Sequence, residues 1–247
     1  MEAELIFCED TRVTKKLLNL LGERNNLDFS NKEYKSFHSH NEDKILKTLD
    51  KETFTKNVVY VSDAGMPCVS DPGATLVEFC IQNEIPYDVL PGANAILTAY
   101  AMSGFAHTTF SFYGFLDHKG VSRASKLDDI LNDDKLSILY ESPHRLLKLL
   151  EELSIKDPNR TIFLAKEITK LHQNSYKDTS LNLFNKFKDI NIKGEWVVVI
   201  KPKETIGFNL DLNDIQSLDI APKIKAKLIA KMTGQSIKDV YQKLLEN

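Results

Sequence analysis

The stretch from Val58 to Gly104, VVYVSDAGMPCVSDPGATLVEFCIQNEIPYDVLPGANAILTAYAMSG, limits what this chain can fold into more than any other. It opens on the apolar run Val58–Val61, short enough for a strand buried on both faces. A turn cluster follows, Ser62-Asp63-Ala64-Gly65-Met66-Pro67, then Ser70-Asp71-Pro72-Gly73. Asp71 before Pro72 predicts a helix start, with a carboxylate on the free N–H groups and a proline whose missing N–H is not needed there. Leu76, Val77, Phe79, Cys80 and Ile81 give that helix an apolar side, and Pro86 ends it. Tyr87–Leu90 reads as a second short strand, and Pro91-Gly92 turns into a helix over Ala93–Met102. The stretch is therefore two successive strand–loop–helix units with their glycines, prolines and aspartates gathered at the strand ends.

Open α/β sheets bind ligands in loops at the carboxyl ends of parallel strands. Gly65, Gly73 and Gly92 let backbone approach a ligand closely, and Asp63 and Asp71 can accept hydrogen bonds from hydroxyls or an ammonium. The alternative is a set of ordinary βα turns with a capping Asp. The stretch contains neither GxGxxG nor GxxxxGK[ST], which leaves the common dinucleotide and P-loop readings without support.

Upstream, Leu5–Cys8 reads as a buried strand ending at Glu9-Asp10-Thr11-Arg12, and Val13–Leu21 as a helix closed by Gly22. Tyr34–Phe37 is a short strand leading to His38-Ser39-His40-Asn41, with Asn41 capping a helix over Glu42–Leu49. His38 and His40 have metal-ligand spacing, and with Asp63, Asp71 or Glu9 they would give a metal-dependent hydrolase. Downstream, Thr108–Phe115 alternates as a half-buried strand does. Elements then alternate as helix 122–131, strand 136–140, helix 143–153, strand 161–165, helix 181–188 and strand 195–200, which predicts a mixed sheet. Ile206–Asp219 reads as a linker, and 221–231 with 236–245 as a helical hairpin. The predicted domains are 1–106, 107–203 and 204–247.

The chain has 247 residues, a formal net charge of −3 and three cysteines. No cysteines form a CxxC pair, so neither a metal knuckle nor a disulfide framework is expected. No apolar run reaches membrane length, so the expectation is a cytoplasmic protein without a membrane partner. The acidic balance argues against a general nucleic-acid binder; two local basic clusters, Lys119/Arg123/Lys126 and Lys223/Lys225/Lys227/Lys231, run the other way.

SDAGMPCVSDPG followed by LPGANAILTA resembles the tetrapyrrole methylase superfamily, and within it the ribosomal RNA small subunit methyltransferase I family. EDTR at 9–12, HSHN at 38–41, GFL at 114–116, YESPHR at 140–145, KEITK at 166–170 and KGE at 193–195 match in the same order. The resemblance implies an α/β tetrapyrrole-methylase-like fold: a mostly parallel doubly wound N-terminal sheet, a mixed second domain and a small helical tail. It implies 2′-O-methylation by S-adenosylmethionine (SAM) of a cytidine in the decoding region of 16S rRNA on the small ribosomal subunit, by a homodimer. Ser62, Asp63, Ala64, Gly65, Pro67, Asp71, Pro91, Gly92 and Ala93 are then the expected donor contacts. Arg12, His38, His40, Arg145, Lys166 and Lys170 are the expected substrate contacts, with no metal. Glu9, Asp10, His144 and Glu167 are chemically able to take the hydroxyl proton. The family usually has Arg where Lys166 stands, so a bidentate contact there becomes a point charge.

Related proteins carry a strand, a PxGN-type loop and a helix before the segment that aligns with Met1. The expectation is that this first strand is absent from the sheet, and a non-catalytic RNA- or ribosome-binding remnant is the corresponding alternative function.

Overall fold

The computed structural model describes residues 3–203 and 211–245, and the chain forms two compact units, Met1–Pro202 and Lys203–Asn247. The first unit begins with β1 (Leu5–Cys8), α1 (Thr11–Asn25), β2 (Glu33–Ser36), α2 (Glu42–Leu46), β3 (Val58–Val61), α3 (Ala74–Gln82) and α4 (Ala95–Ser103). Its first sheet is parallel with order β2-β1-β3, Leu5–Cys8 lying against Glu33–Ser36 on one side and Val58–Val61 on the other. A parallel strand with partners on both edges is buried on both faces, and all four β1 residues are buried. β3 is as apolar but has a partner on one edge only among the described residues, and it stays half-buried.

Several local expectations change. Helix α1 does not stop at Gly22 but continues to Asn25, capped by Asn26 in the left-handed region at φ 54°. Gly22 is small for another reason: a Cβ there would lie 2.6 Å from the Leu27 carbonyl oxygen of the returning chain. Asp71 caps no helix, because α3 starts two residues later behind Gly73. Asn41 stands at the start of the short α2, yet its side chain accepts from His38 N at 2.8 Å instead of capping. Tyr87–Leu90 joins no ladder among the described residues, and Tyr87, Val89 and Leu90 are exposed. An apolar run becomes a strand only when another backbone takes its N–H and C=O groups.

The second sheet follows with β4 (Phe110–Phe115), α5 (Val121–Asn132), β5 (Leu136–Glu141), α6 (Pro143–Lys156), β6 (Thr161–Lys166), β7 (Asn174–Thr179), α7 (Ser180–Phe187) and β8 (Trp196–Ile200). Its order is β4-β5-β8-β6-β7; β4 and β5 are parallel and the remaining pairs antiparallel. It is the mixed sheet that the alternation of elements predicts. Strand β7, NSYKDT, carries no apolar period that would announce it; it is an exposed edge strand, where polar residues are favoured. Alternate residues of β5 face opposite layers. Leu139 packs with Leu146, Leu149 and Leu153 of α6, while Leu136 and Ile138 pack with Ile96 and Ala99 of α4. Helix α4, which the sequence assigns to the first domain, thus lies on the second sheet.

The second unit holds α8 (Leu212–Ser217), α9 (Pro222–Thr233) and α10 (Ile237–Leu245). The hairpin α9–α10 stands as predicted, around a small core of Ile215, Ala226, Ile229, Ala230 and Val240. Of the predicted linker, 206–210 lies outside the described residues and 212–217 is helical, with Asp211 and Asp214 forming a capping box.

Candidate active site

The loop after β3 turns at Gly65, φ 76°, where a Cβ would lie 3.8 Å from the Ala93 carbonyl oxygen, so the two glycine loops meet. They form one wall of a cavity of about 370 Å3. Ala64, Gly65, Met66 and Val69 come from the first loop, with Ser70 and Asp71 behind them, and Ala93 and Asn94 from the second. Asn94 also starts α4, accepting from Ile96 N and Leu97 N through Oδ1. The opposite wall belongs to the second sheet: Phe115, the 140–143 turn, Ile168 and the start of β8 at 195–197. The Phe115 and Tyr140 rings meet at a tilt of 51°, 5.5 Å between centroids, and Phe115 leaves 56% of its surface exposed. The volume falls in the range of small-molecule sites, about 300–1,000 Å3.

Burial raises the Asp71 carboxyl above its ordinary value, and the charges of Glu9 and Asp63 raise it further. A cation bound beside it would favour its charged form. Among the expected donor contacts, Ala64, Gly65, Asp71 and Ala93 line the cavity. Ser62 lies behind it, its Oγ 3.4 Å from the Ala64 and Gly65 carbonyls. Asp63 is turned to the start of α1, where its Oδ1 accepts from Asp10 N at 3.1 Å. Pro67, Pro91 and Gly92 are outside the lining, and a Cβ on Gly92 would meet nothing within 4 Å.

The residues considered for proton transfer are more dispersed. Glu9 Oε2 accepts from Asp63 N at 3.3 Å. Asp10 caps α1 and pairs with Arg12 at 2.6 Å, and these contacts hold its carboxyl down to about 2. Glu167 Oε1 accepts from Glu195 N at 2.8 Å and Lys170 Nζ at 3.1 Å, which keeps that carboxyl low. His144 is exposed, one residue beyond the cavity-lining Ser142 and Pro143.

Arg145 does not point outward as its place on the first turn of α6 suggests. Its Nε donates to Glu141 Oε1 at 2.7 Å. Arg123, read from sequence as part of a surface basic cluster, is buried and pairs with Glu152 at 2.7 Å and with Glu141 at 3.8 Å. Arg12 is exposed beside Asp10. Lys166 Nζ donates to the Asn191 carbonyl at 3.2 Å and lies over Trp196; Lys170 is held between Glu167 and Glu195. His38 Nδ1 accepts from His40 N at 3.2 Å, so the pair is a local turn. No three His, Cys, Asp or Glu side chains come together as a metal set among the described residues, which leaves the hydrolase alternative without ligands. Sequence reasoning misses Asn94, Phe115, Ile168, Glu195, Trp196 and Val197; the first four lie in matched segments, but no local chemistry marks them as wall residues.

Two α/β layers whose loops close on one cavity are the arrangement that comparison with known families identifies as a tetrapyrrole methylase. The family model for Tetrapyrrole (Corrin/Porphyrin) Methylases matches residues 1–183. The chain belongs to this family, and within it to the ribosomal RNA small subunit methyltransferase I group. It is 45% identical over 244 residues to that enzyme from Campylobacter fetus, covering 98% of this chain and 90% of the relative. It is 41% identical over 257 residues to the Helicobacter pylori J99 enzyme, covering 98% and 89%. The fold is also that of a cobalt precorrin-4 methyltransferase, with TM-score 0.56 and 16% identity over 81% of this chain and 84% of the other. A Thermus thermophilus uroporphyrin-III C-methyltransferase complexed with S-adenosyl homocysteine superposes with TM-score 0.51 and 15% identity, over 80% and 85%. No helix among the described residues is long and apolar enough to cross a membrane.

Proposed function

We propose that this protein transfers a methyl group from SAM to a ribose 2′-hydroxyl of a cytidine in the decoding region of 16S rRNA. The observation that carries the reading is the convergence of the SDAG, SDPG and LPGAN loops on one 370 Å3 cavity whose far wall comes from the second sheet. The residues fit the donor. Met66, Val69, Phe115 and Val197 offer apolar surface, Gly65 lets backbone come close, and Asp71 faces the cavity with a carboxylate. SAM supplies an electrophilic methyl when bound.

The chain's own part is positioning, which supplies much of the rate in such a transfer. Asp71 holds the donor's cationic or hydroxyl groups, and Phe115 gives a flat apolar face to a base. Of Glu9, Asp10, His144 and Glu167, His144 takes the hydroxyl proton. Asp10 and Glu167 are both held as weakly basic carboxylates by their partners, and Glu9 is bonded to the Asp63 amide. Arg12, His38 and His40, with Lys166, face the RNA. The work is done in the cytoplasm by a homodimer with domains 1–106, 107–203 and 204–247. The exposed apolar row Val13, Leu17 and Leu20 on α1 supports self-association.

The test is methyl transfer from labelled SAM to small ribosomal subunits that lack the modification, with the product nucleoside identified by mass. A 2′-O-methylcytidine at the decoding site is expected. Transfer to a base, or binding of subunits without transfer, overturns the reading, and the second result leaves the non-catalytic remnant.

A further inference from the structure

We propose that the polar basin between the β6–β7 loop and the residues before β8 is a second substrate subsite. It takes the sugar–phosphate backbone of single-stranded RNA next to the nucleotide in the donor cavity. This rests on the reading of the substrate as RNA.

The basin measures about 580 Å3, and Lys166, His172, Gln173, Asn174, Asn191 and Lys193 line it. Its surface is rich in donors. Lys193 Nζ and the His172 ring have no partner among the described residues. Lys166 gives one N–H to the Asn191 carbonyl. The Gln173 and Asn191 side-chain oxygens are taken by the backbone N–H groups of Thr169 and Lys193, so their amide N–H groups are what they offer a ligand. The acidic groups nearby, Glu167 and Glu195, are both bonded to Lys170. One ammonium cannot neutralise both carboxylates, but with Lys166 and Lys193 counted the basin keeps an excess of one positive charge and several free N–H groups, which suits phosphate and sugar oxygens.

The loop is built to keep this basin against the donor cavity. Glu167 and Thr169 both sit at positive φ, 48° and 66°, a conformation that non-glycine residues hold only when their surroundings enforce it. The enforcement is visible. Glu167 accepts from Glu195 N and Lys170, and a Cβ on Gly194 would lie 2.8 Å from Glu167 Cγ. As a result Ile168 and Glu195 line the donor cavity while their neighbours Glu167 and Gly194 line the basin. One loop forms both walls, so a strand with one nucleotide in the cavity can run directly into the basin. Leu171, 94% exposed at the loop tip, gives an adjacent apolar face for a base.

The test is binding of a fluorescein-labelled 12-nucleotide single-stranded RNA to the full chain, read by anisotropy over a range of salt. The His172→Ala, Lys193→Ala double variant is expected to bind about tenfold more weakly, with a log–log salt slope shallower by about 0.7 for each phosphate that is no longer neutralised. Its affinity for S-adenosyl homocysteine, measured by calorimetry, is expected to be unchanged. Lys51→Ala, which removes an exposed charge far along the chain from the basin, should stay within about twofold of the parent. The proposal is overturned by a parent chain that does not bind this RNA, or by a double variant within about twofold of it. It is also overturned by parallel loss of S-adenosyl homocysteine affinity, because the loop then acts only through the donor cavity. Methyl transfer to small subunits judges the rRNA reading separately: RNA binding that depends on His172 and Lys193 without any transfer keeps the basin and removes that reading.

Discussion

Arg145 Nε donates to Glu141 Oε1 across 2.7 Å, joining the first turn of α6 to the end of β5 through a carboxylate with no exposed surface. The same oxygen accepts from Ser142 N at 2.8 Å, and Arg123 lies 3.8 Å from the other oxygen. The two guanidinium groups and the carboxylate therefore set the 140–143 turn that lines the cavity. Removing one partner of a buried ion pair leaves an uncompensated charge, at about 3–5 kcal/mol. Glu141→Ala should lose stability of that order in urea denaturation. Glu141→Gln, which keeps an acceptor, should lose less. A loss for Glu141→Ala under about 1 kcal/mol would mean that the network carries no load.

Two glycines of the loops should respond in opposite ways. A Cβ on Gly73 would lie 2.5 Å from Tyr60 Cε1 at a φ of 124°, so Gly73→Ala strains the backbone and displaces the ring. Strain of this kind amounts to about 1–3 kcal/mol, or about 2–4 °C of Tm for each kcal/mol in a chain of this size. A Cβ on Gly92 meets nothing within 4 Å. Gly92→Ala should leave Tm unchanged, and if Gly92 contacts the donor, calorimetry will read a weaker SAM affinity at full stability. Unaltered affinity would remove Gly92 from the donor site.

Asp71 predicts a conflict between stability and binding. Its folded carboxyl is raised by burial and by Glu9 and Asp63. The folded state thus holds its proton to higher pH than the unfolded chain does, and stability falls as pH rises through that window. Asp71→Asn should stabilise the protein at pH 7, and the gain should vanish as pH drops below the range where Asp71 ionises. SAM affinity should fall in the same variant. A variant less stable than the parent at pH 7 would contradict the electrostatic account.

Asp10 has the opposite sign. Its side-chain bond with Arg12, then the Arg12 backbone N–H, lower its carboxyl from 3.8 to about 2. The contribution to stability is complete above the unfolded value and is lost as pH falls from about 4 to about 2. Asp10→Asn keeps an oxygen for the α1 cap and removes the charge. Urea midpoints of parent and variant should differ at pH 7 and converge near pH 2. A constant difference over that range would assign the effect to the cap alone.

The parts legible in the sequence are those that one short segment dictates. Leu5–Cys8 and Val58–Val61 are apolar runs of strand length, α6 carries its proline at the first turn, and the hairpin α9–α10 has its own apolar stripe. The glycine-loop cavity is legible for a similar reason, because Gly65 and the residues around it mark a strand end whatever lies opposite. β7 is not legible, since an edge strand exposed to water needs no apolar period. Tyr87–Leu90 fails the other way. Its composition is that of a strand, but ladder hydrogen bonds belong to pairs of segments, and one segment does not reveal whether its partner is there.

By itself, then, the sequence determined the α/β class, the order of most elements, the loops that meet at the cavity and, through their motifs, the family. The tertiary structure decided the placement of charge. Arg145 and Arg123 face inward onto Glu141, Lys170 is held between Glu167 and Glu195, and Asp71 is released from capping to line the cavity. The physical reason is range. Strand, turn and helix preferences act over a few residues. The direction of a long charged side chain, and the pKa of a carboxyl, depend on groups that only folding brings within a few ångströms.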